Sequence, residues 1–149
     1  MKNFLQDAGE KLKRLCLGKV ECDVENGRLE VITEKELIKS IKASTSPAMV
    51  VSYDTKNPFI LTTNKPLRKL MGYSEKELKG QSVEIFFGKN SKGEVVRQLK
   101  ENLEKNDYWQ GVVTNYTKSG KEILINLLIF TVLVDGNHYY VVYKRRNLS

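Results

Sequence analysis

The C-terminal part of this chain constrains its fold more than any other region. Three strand-like segments follow one another at about 107–118, 121–134 and 138–146, and only the turns Ser119-Gly120 and Asp135-Gly136-Asn137 separate them. Connections this short join neighbouring antiparallel strands. The chain is therefore expected to end in three strands of one antiparallel sheet.

Two strands and a group of short helices precede these segments. The pattern predicts strands at Met49 to Tyr53 and Phe59 to Thr63, helices at Lys65 to Met71, Ser74 to Leu78 and about 91–105, and a helical turn at Ser82 to Phe86. Helices gathered between strands of an antiparallel sheet are typical of an α+β fold, in which they cover one sheet face.

The first 46 residues form a separate pattern. Apolar residues at helical spacing predict a helix over about 3–17 that ends at Gly18, and Asn26-Gly27 predicts a hairpin turn between two short strands. Thr33 and Glu36 form a capping box, which predicts a helix over about 34–43. We place the boundary at Ser44 to Pro47, so that residues 1–46 are an N-terminal helix, hairpin and short-helix extension and residues 47–149 are the main domain.

Composition excludes several classes of protein. The 149 residues suffice for one core, and no stretch approaches the ~20 apolar residues of a membrane span. The N-terminus lacks a signal sequence, so we expect a cytoplasmic protein with no membrane partner. Two cysteines, Cys16 and Cys22, and one histidine, His138, cannot form a four-ligand zinc site, so no metal is expected.

The formal net charge of +7 raises the question of nucleic-acid binding. Most lysines alternate with glutamates, as in Ser74 to Lys79, and the run Lys144-Arg145-Arg146 is short. Such a pattern is typical of an ordinary solvated surface. Nucleic acid is not expected as a partner, and a basic nucleic-acid-associated regulator is kept as a third hypothesis.

Two segments of the main domain resemble the PAS domain family. Met71-Gly72-Tyr73-Ser74-Glu75-Lys76-Glu77-Leu78-Lys79-Gly80 is similar to the segment that follows the second PAS strand. Asn115-Tyr116-Thr117-Lys118-Ser119-Gly120-Lys121 is similar to the hairpin between the third and fourth strands. The resemblance covers about residues 47–146 and implies a five-stranded antiparallel sheet with helices on one face.

Within that family the chain resembles the LOV branch of flavin-binding blue-light sensors, whose motif G-x-N-C-R-F-L-Q-G aligns with Gly80 to Gly88. Val83 stands where the resemblance would place the cysteine that attacks FMN, Ser82 replaces an asparagine and Glu84 an arginine. Asn115 matches a flavin-edge asparagine, whereas Ile125 and Lys144 stand at or near two other polar positions. The resemblance therefore implies a PAS pocket without LOV cysteine photochemistry.

The candidate pocket residues share the strands and turn that line a PAS cavity. They are Ser52, Asn64, Ser82, Val83, Phe86, Phe87, Val113, Asn115, Ile125 and Leu127. Since most of the polar flavin partners are replaced, we expect no cofactor, with non-covalently bound FMN as the alternative.

The opposite, outer face of the sheet is also predicted to be apolar. Strand alternation places on it Leu124, Leu128, Phe130, Tyr139, Val141 and Tyr143. An apolar face needs a cover. The cover is the N-terminal helix, the 34–43 helix, or a second molecule, so this face is the candidate interface for a homodimer or a protein partner.

No arrangement of residues in the sequence is typical of an active site, and we expect no enzyme activity. The leading hypothesis is a PAS-type sensory or protein-interaction module that acts through dimerisation or docking on the outer sheet face. The alternative is a sensor that binds a flavin or another small molecule non-covalently in the pocket.

Overall fold

A computed structural model describes residues 20–23, 28–31, 33–54, 56–91, 93–106 and 108–148 of the chain. The strands are β1 Val20–Asp23, β2 Arg28–Val31, β3 Ala48–Ser52, β4 Ile60–Thr63, β5 Tyr108–Tyr116, β6 Glu122–Val134 and β7 Asn137–Arg146. The helices are α1 Glu34–Ala43, α2 Lys65–Met71, α3 Glu75–Leu78 and α4 Gly93–Asn106, and a 3-10 turn spans Val83–Phe86. The helix predicted over residues 3–17 and the hairpin turn at Asn26-Gly27 lie outside the described residues.

Five of the strands form the predicted antiparallel sheet, in the order β4-β3-β7-β6-β5. The hairpin of β1 and β2 extends this sheet, because β2 pairs in parallel with the end of β6, where Leu29 lies opposite Val132. β5 pairs with β6 only as far as Phe130. The last residues of β6 thus have backbone groups available on the same edge, and β2 satisfies them.

Local sequence signals set the helix boundaries. The Thr33 hydroxyl accepts a hydrogen bond of 3.1 Å from the backbone N–H of Glu36 and begins α1 at the predicted residue. Ser74 and Glu77 form a reciprocal capping box that begins α3. Gly72, with a φ of 83°, ends α2 in the left-handed region.

The sheet has an inner face and an outer face, each with its own apolar cluster. α2, α3, the 3-10 turn and α4 lie on the inner face, as predicted for the helices of the main domain. The inner cluster includes Met49, Val51, Ile60, Leu67, Met71, Leu78, Phe86, Val113, Ile123, Ile125, Leu127, Ile129, Tyr140 and Val142.

α1 covers the outer face. Its residues Leu37 and Ile41 are fully buried in the outer cluster, together with Ala48, Val50, Leu128, Phe130, Val132, Val134, Val141 and Tyr143. Burying a leucine or isoleucine side chain contributes about 1.5–3 kcal/mol. Among the three covers considered from the sequence, the structure thus shows the 34–43 helix, and this part of the extension packs on the main domain.

Candidate functional site

A cavity of about 90 Å³ lies on the inner face, between the sheet and the segment around the 3-10 turn. Its walls are mostly apolar and include Met49, Val51, Val83, Phe86, Phe87, Leu127, Ile129 and Val142. Exposed polar residues at its rim are Asp54, Lys56, Asn57 and Glu84. The cavity has the composition of a small-molecule site, in which a few polar groups stand among apolar walls.

Two buried polar residues, Lys144 and Asn115, line this cavity. Lys144 Nζ donates a hydrogen bond of 2.7 Å to Asn115 Oδ1 and lies 3.5 Å from the centre of the Phe86 ring. The Asn115 amide nitrogen donates to the carbonyl of Thr114 at 3.2 Å. The polar pair therefore joins β5 and β7, the two strands on either side of β6, and is held in a defined position.

Burial lowers the pKa of the Lys144 ammonium well below its ordinary value, because the charged form loses its hydration. None of the ion pairs among the described residues involves Lys144. The cavity thus contains an amine whose charge no carboxylate of the described chain balances.

Six of the ten predicted pocket residues line the cavity: Ser82, Val83, Phe86, Phe87, Asn115 and Leu127. Val113 and Ile125 lie in the inner cluster away from the cavity. Ser52 has a structural contact instead, since its hydroxyl accepts a hydrogen bond of 3.0 Å from the backbone N–H of Phe59.

Asn64 also lies away from the cavity and joins four segments. Its Oδ1 accepts hydrogen bonds of 3.0 Å from the backbone N–H groups of Ala48 and Leu67, and its Nδ2 donates to the carbonyls of Ile41 and Ser46 at 3.0 and 2.8 Å. Asn64 therefore caps α2 and connects the end of α1 to the start of β3.

The predicted interface residues are largely covered within the chain. Leu128, Phe130, Val141 and Tyr143 are buried under α1, and the half-buried Tyr139 packs against the same cluster. Leu124 differs, because 47% of its surface is exposed. Val112 on the neighbouring strand is equally exposed. The open part of the outer face is therefore small and lies near β5.

Lys144 was not among the pocket residues predicted from the sequence, although it stands at or near a polar position of the LOV branch. The run Lys144-Arg145-Arg146 suggests a basic surface cluster. In the structure Arg145 and Arg146 are exposed, whereas Lys144 is buried. The signal was present in the strand period: with Val141 and Tyr143 on the outer face, Lys144 has to face inward.

The model of the PAS domain family matches residues 46–143. The chain belongs to the PAS domain family. No curated protein matches the sequence.

Solved structures with the same fold include several LOV domains. A Rhodobacter sphaeroides LOV protein superposes with a TM-score of 0.69 at 15% identity, covering 75% of this chain and 65% of that one. A LOV domain studied with a flavin analogue superposes with a TM-score of 0.67 at 19% sequence identity, covering 76% of this chain and 86% of that one. The LOV domain of an Erythrobacter litoralis blue-light activated histidine kinase superposes with a TM-score of 0.61 at 17% sequence identity, covering 69% of this chain and 96% of that one. At these identities the likeness establishes the PAS fold alone.

The cavity is too small for FMN, the cofactor that the resemblance to LOV domains implies. Sites for ligands of drug size or larger enclose about 300–1,000 Å³, whereas this cavity encloses about 90 Å³. The Lys144 amine and the Phe86 ring fill space beside it. Among the described residues there is also no cluster of metal-ligating side chains, and no helix is long and apolar enough to cross a membrane.

Proposed function

We propose that this PAS domain is a sensory module that binds a small ligand other than flavin in the inner cavity and signals through β7 to α1. The observation that carries the proposal is the position of two adjacent residues. Lys144 lines the cavity, and Tyr143 is buried in the cluster under α1. A ligand that shifts Lys144 acts on the same short piece of backbone that supports the helix.

Pairing within the sheet supports this route. Leu127 lies opposite Lys144, and Leu128 lies opposite Tyr143. Leu127 contacts the cavity and Leu128 contacts the α1 side. Both central strands thus join the two faces at the same level, and close-packed interiors transmit small displacements.

The proposed module carries out no enzymatic step and no LOV cysteine chemistry. The only cysteines, Cys16 and Cys22, precede the matched PAS region. The output is then a change in α1 and in what docks near it, either a protein partner or a second copy of the chain. PAS domains in general mediate protein interactions, and this supports docking as the output.

The first test is the absorption spectrum of the purified full chain, with mass spectrometry of its denatured extract. We expect no flavin band. A flavin present at one molar equivalent would contradict the proposal for the cavity.

The second test uses a panel of small probes: propionate, propionamide, propylammonium, 1-propanol and isobutyrate. Trp109, the only tryptophan, reports on the cavity because it lies opposite the lining residue Ile129. We expect at least one probe to change Trp109 fluorescence saturably and to change hydrogen exchange of the α1 amides. If no probe changes either signal, the proposed function is wrong.

A further inference from the structure

The buried amine of Lys144 limits what the cavity binds. A protonated amine has three N–H groups. Asn115 Oδ1 accepts a hydrogen bond from one of them, and the face of the Phe86 ring lies against Nζ on another side. Among the described residues, Asn115 is the one hydrogen-bond acceptor that the structure gives to Lys144 Nζ. A charged Lys144 is therefore incompletely solvated by the protein.

The charges around the cavity do not supply the missing acceptor. The rim contains the acidic residues Asp54 and Glu84 and the basic residues Lys56 and Lys100, which balance each other formally. Asp54 Oδ1 accepts hydrogen bonds from the backbone N–H groups of Lys56 and Asn57 at 2.9 and 3.2 Å, which hold this carboxylate on its own exposed turn. Tyr140 is the other titratable group that lines the cavity. Within the described part of the chain, no carboxylate forms an ion pair with Lys144.

The size of the cavity limits the ligand further. A cavity of about 150 Å³ holds benzene, which has six non-hydrogen atoms. By proportion, about 90 Å³ holds roughly four such atoms. Around the amine the walls are apolar, with Met49, Val51 and Leu127 among them. A ligand that fits has a small anionic head and a short alkyl end.

We infer that the cavity binds a short-chain monocarboxylate, whose carboxylate accepts a hydrogen bond from Lys144 Nζ and whose alkyl end packs against the apolar wall. The inference rests on the proposed function and names its ligand class. A carboxylate of this size supplies the absent counter-charge, and charge-assisted hydrogen bonds are the strong ones in such a site. The positioning of Nζ by Asn115 leaves its free direction for the ligand.

The test compares propionate with propionamide, which has the same shape and no charge, by titration calorimetry on the full wild-type chain. We expect propionate to bind about 10- to 100-fold more tightly, as one charge-assisted hydrogen bond implies. We also expect the affinity for propionate to fall as the pH rises, because the ammonium form holds the carboxylate.

Two variants complete the test. Lys144→Met replaces the amine with an unbranched apolar side chain one atom shorter and should abolish the preference for propionate over propionamide. Lys100→Met removes a lysine of the rim and should retain the preference. Circular dichroism shows whether each variant is folded, and the wild-type comparison of the two ligands does not depend on either variant.

The outcomes separate this inference from the proposed function. If propionamide or 1-propanol binds as well as propionate and changes the exchange of α1, the cavity is a ligand site but the carboxylate inference is wrong. Equal loss of the preference in both lysine variants would also overturn it, since the charge of the whole rim would then be responsible. If no probe binds, both proposals fail.

Discussion

Lys144 Nζ and Asn115 Oδ1 lie 2.7 Å apart in the interior of the PAS domain. Both residues are almost completely buried, at 3% and 1% exposure. The neutral carbonyl of the amide accepts a hydrogen bond but does not offset a full positive charge. This relationship explains why burial, rather than a charged neighbour, is the cause of the lowered pKa of Lys144.

Because the pKa of Lys144 is lowered in the folded state, its titration affects stability. Between that lowered pKa and the unfolded value of about 10.4, the unfolded chain binds the proton that the folded chain does not. The free energy of unfolding of the wild type should therefore rise with pH across this window, relative to Lys144→Met, by up to about 1.4 kcal/mol per pH unit. Urea unfolding of both proteins at several alkaline pH values measures the difference.

The matched control for this experiment is Lys121→Met, which removes an exposed lysine next to β6. It tests whether the slope depends on burial rather than on loss of a lysine. A wild-type stability that falls with pH relative to Lys144→Met would contradict a lowered pKa.

Asn64 offers a second prediction. In Asn64→Ala the buried N–H groups of Ala48 and Leu67 lose their acceptor. The carbonyls of Ile41 and Ser46 keep a hydrogen bond from Ser44. Each buried group left unsatisfied costs about 1–3 kcal/mol. We expect the free energy of unfolding to fall by about 3 kcal/mol or more, measured by urea denaturation. The exposed Asn57→Ala should change it by less than about 0.5 kcal/mol. An equally small loss at Asn64 would show that water replaces its contacts.

Local elements were predicted from the sequence more accurately than the packing between them. α1 and α2 have the boundaries that their capping residues and Gly72 indicated. The inward and outward alternation of β6 and β7 also followed from the strand period. These features depend on residues that are near neighbours in the chain, so their signals are readable in a single sequence.

The parts that the sequence did not reveal depend on contacts between distant segments. The parallel pairing of β2 with the end of β6 arises because β5 stops short on that edge, which no local pattern encodes. Asn64 was predicted as a ligand contact, since a buried asparagine near a pocket and a buried asparagine that joins helices look alike in sequence. Its role is visible only where α1, β3 and α2 meet.

Gly88, the second glycine of the LOV-like segment, gives a third prediction. A Cβ at this position would lie 2.6 Å from two ring atoms of Tyr116. The Tyr116 hydroxyl accepts a hydrogen bond of 2.8 Å from the N–H of Asn90, which holds the ring in place. Gly88→Ala should therefore lower the free energy of unfolding by about 1–3 kcal/mol.

The control for Gly88 is Gly93→Ala, because a Cβ at Gly93 meets no atom within 4 Å. The loss at Gly88 should also shrink in the background of Tyr116→Ala, where the ring is absent. If Gly88→Ala costs the same in both backgrounds, the contact with Tyr116 is not its cause.

The outer face gives the last prediction, which separates packing from association. Leu128 is fully buried under α1 and Leu124 is 47% exposed on the same strand and face. Leu128→Asp places a charge in the outer cluster and should unfold the chain or lower its stability by about 3 kcal/mol or more. Leu124→Asp should leave stability nearly unchanged, and denaturation curves of both variants test this.

For association, light scattering on the wild type and on Leu124→Asp is decisive because the fold is retained. We expect the wild type to show a concentration-dependent dimer that Leu124→Asp weakens, since the exposed Val112 and Leu124 are the part of the predicted interface that α1 leaves open. An unchanged monomer mass in both proteins would remove the interface from this face and leave α1 packing as its only role.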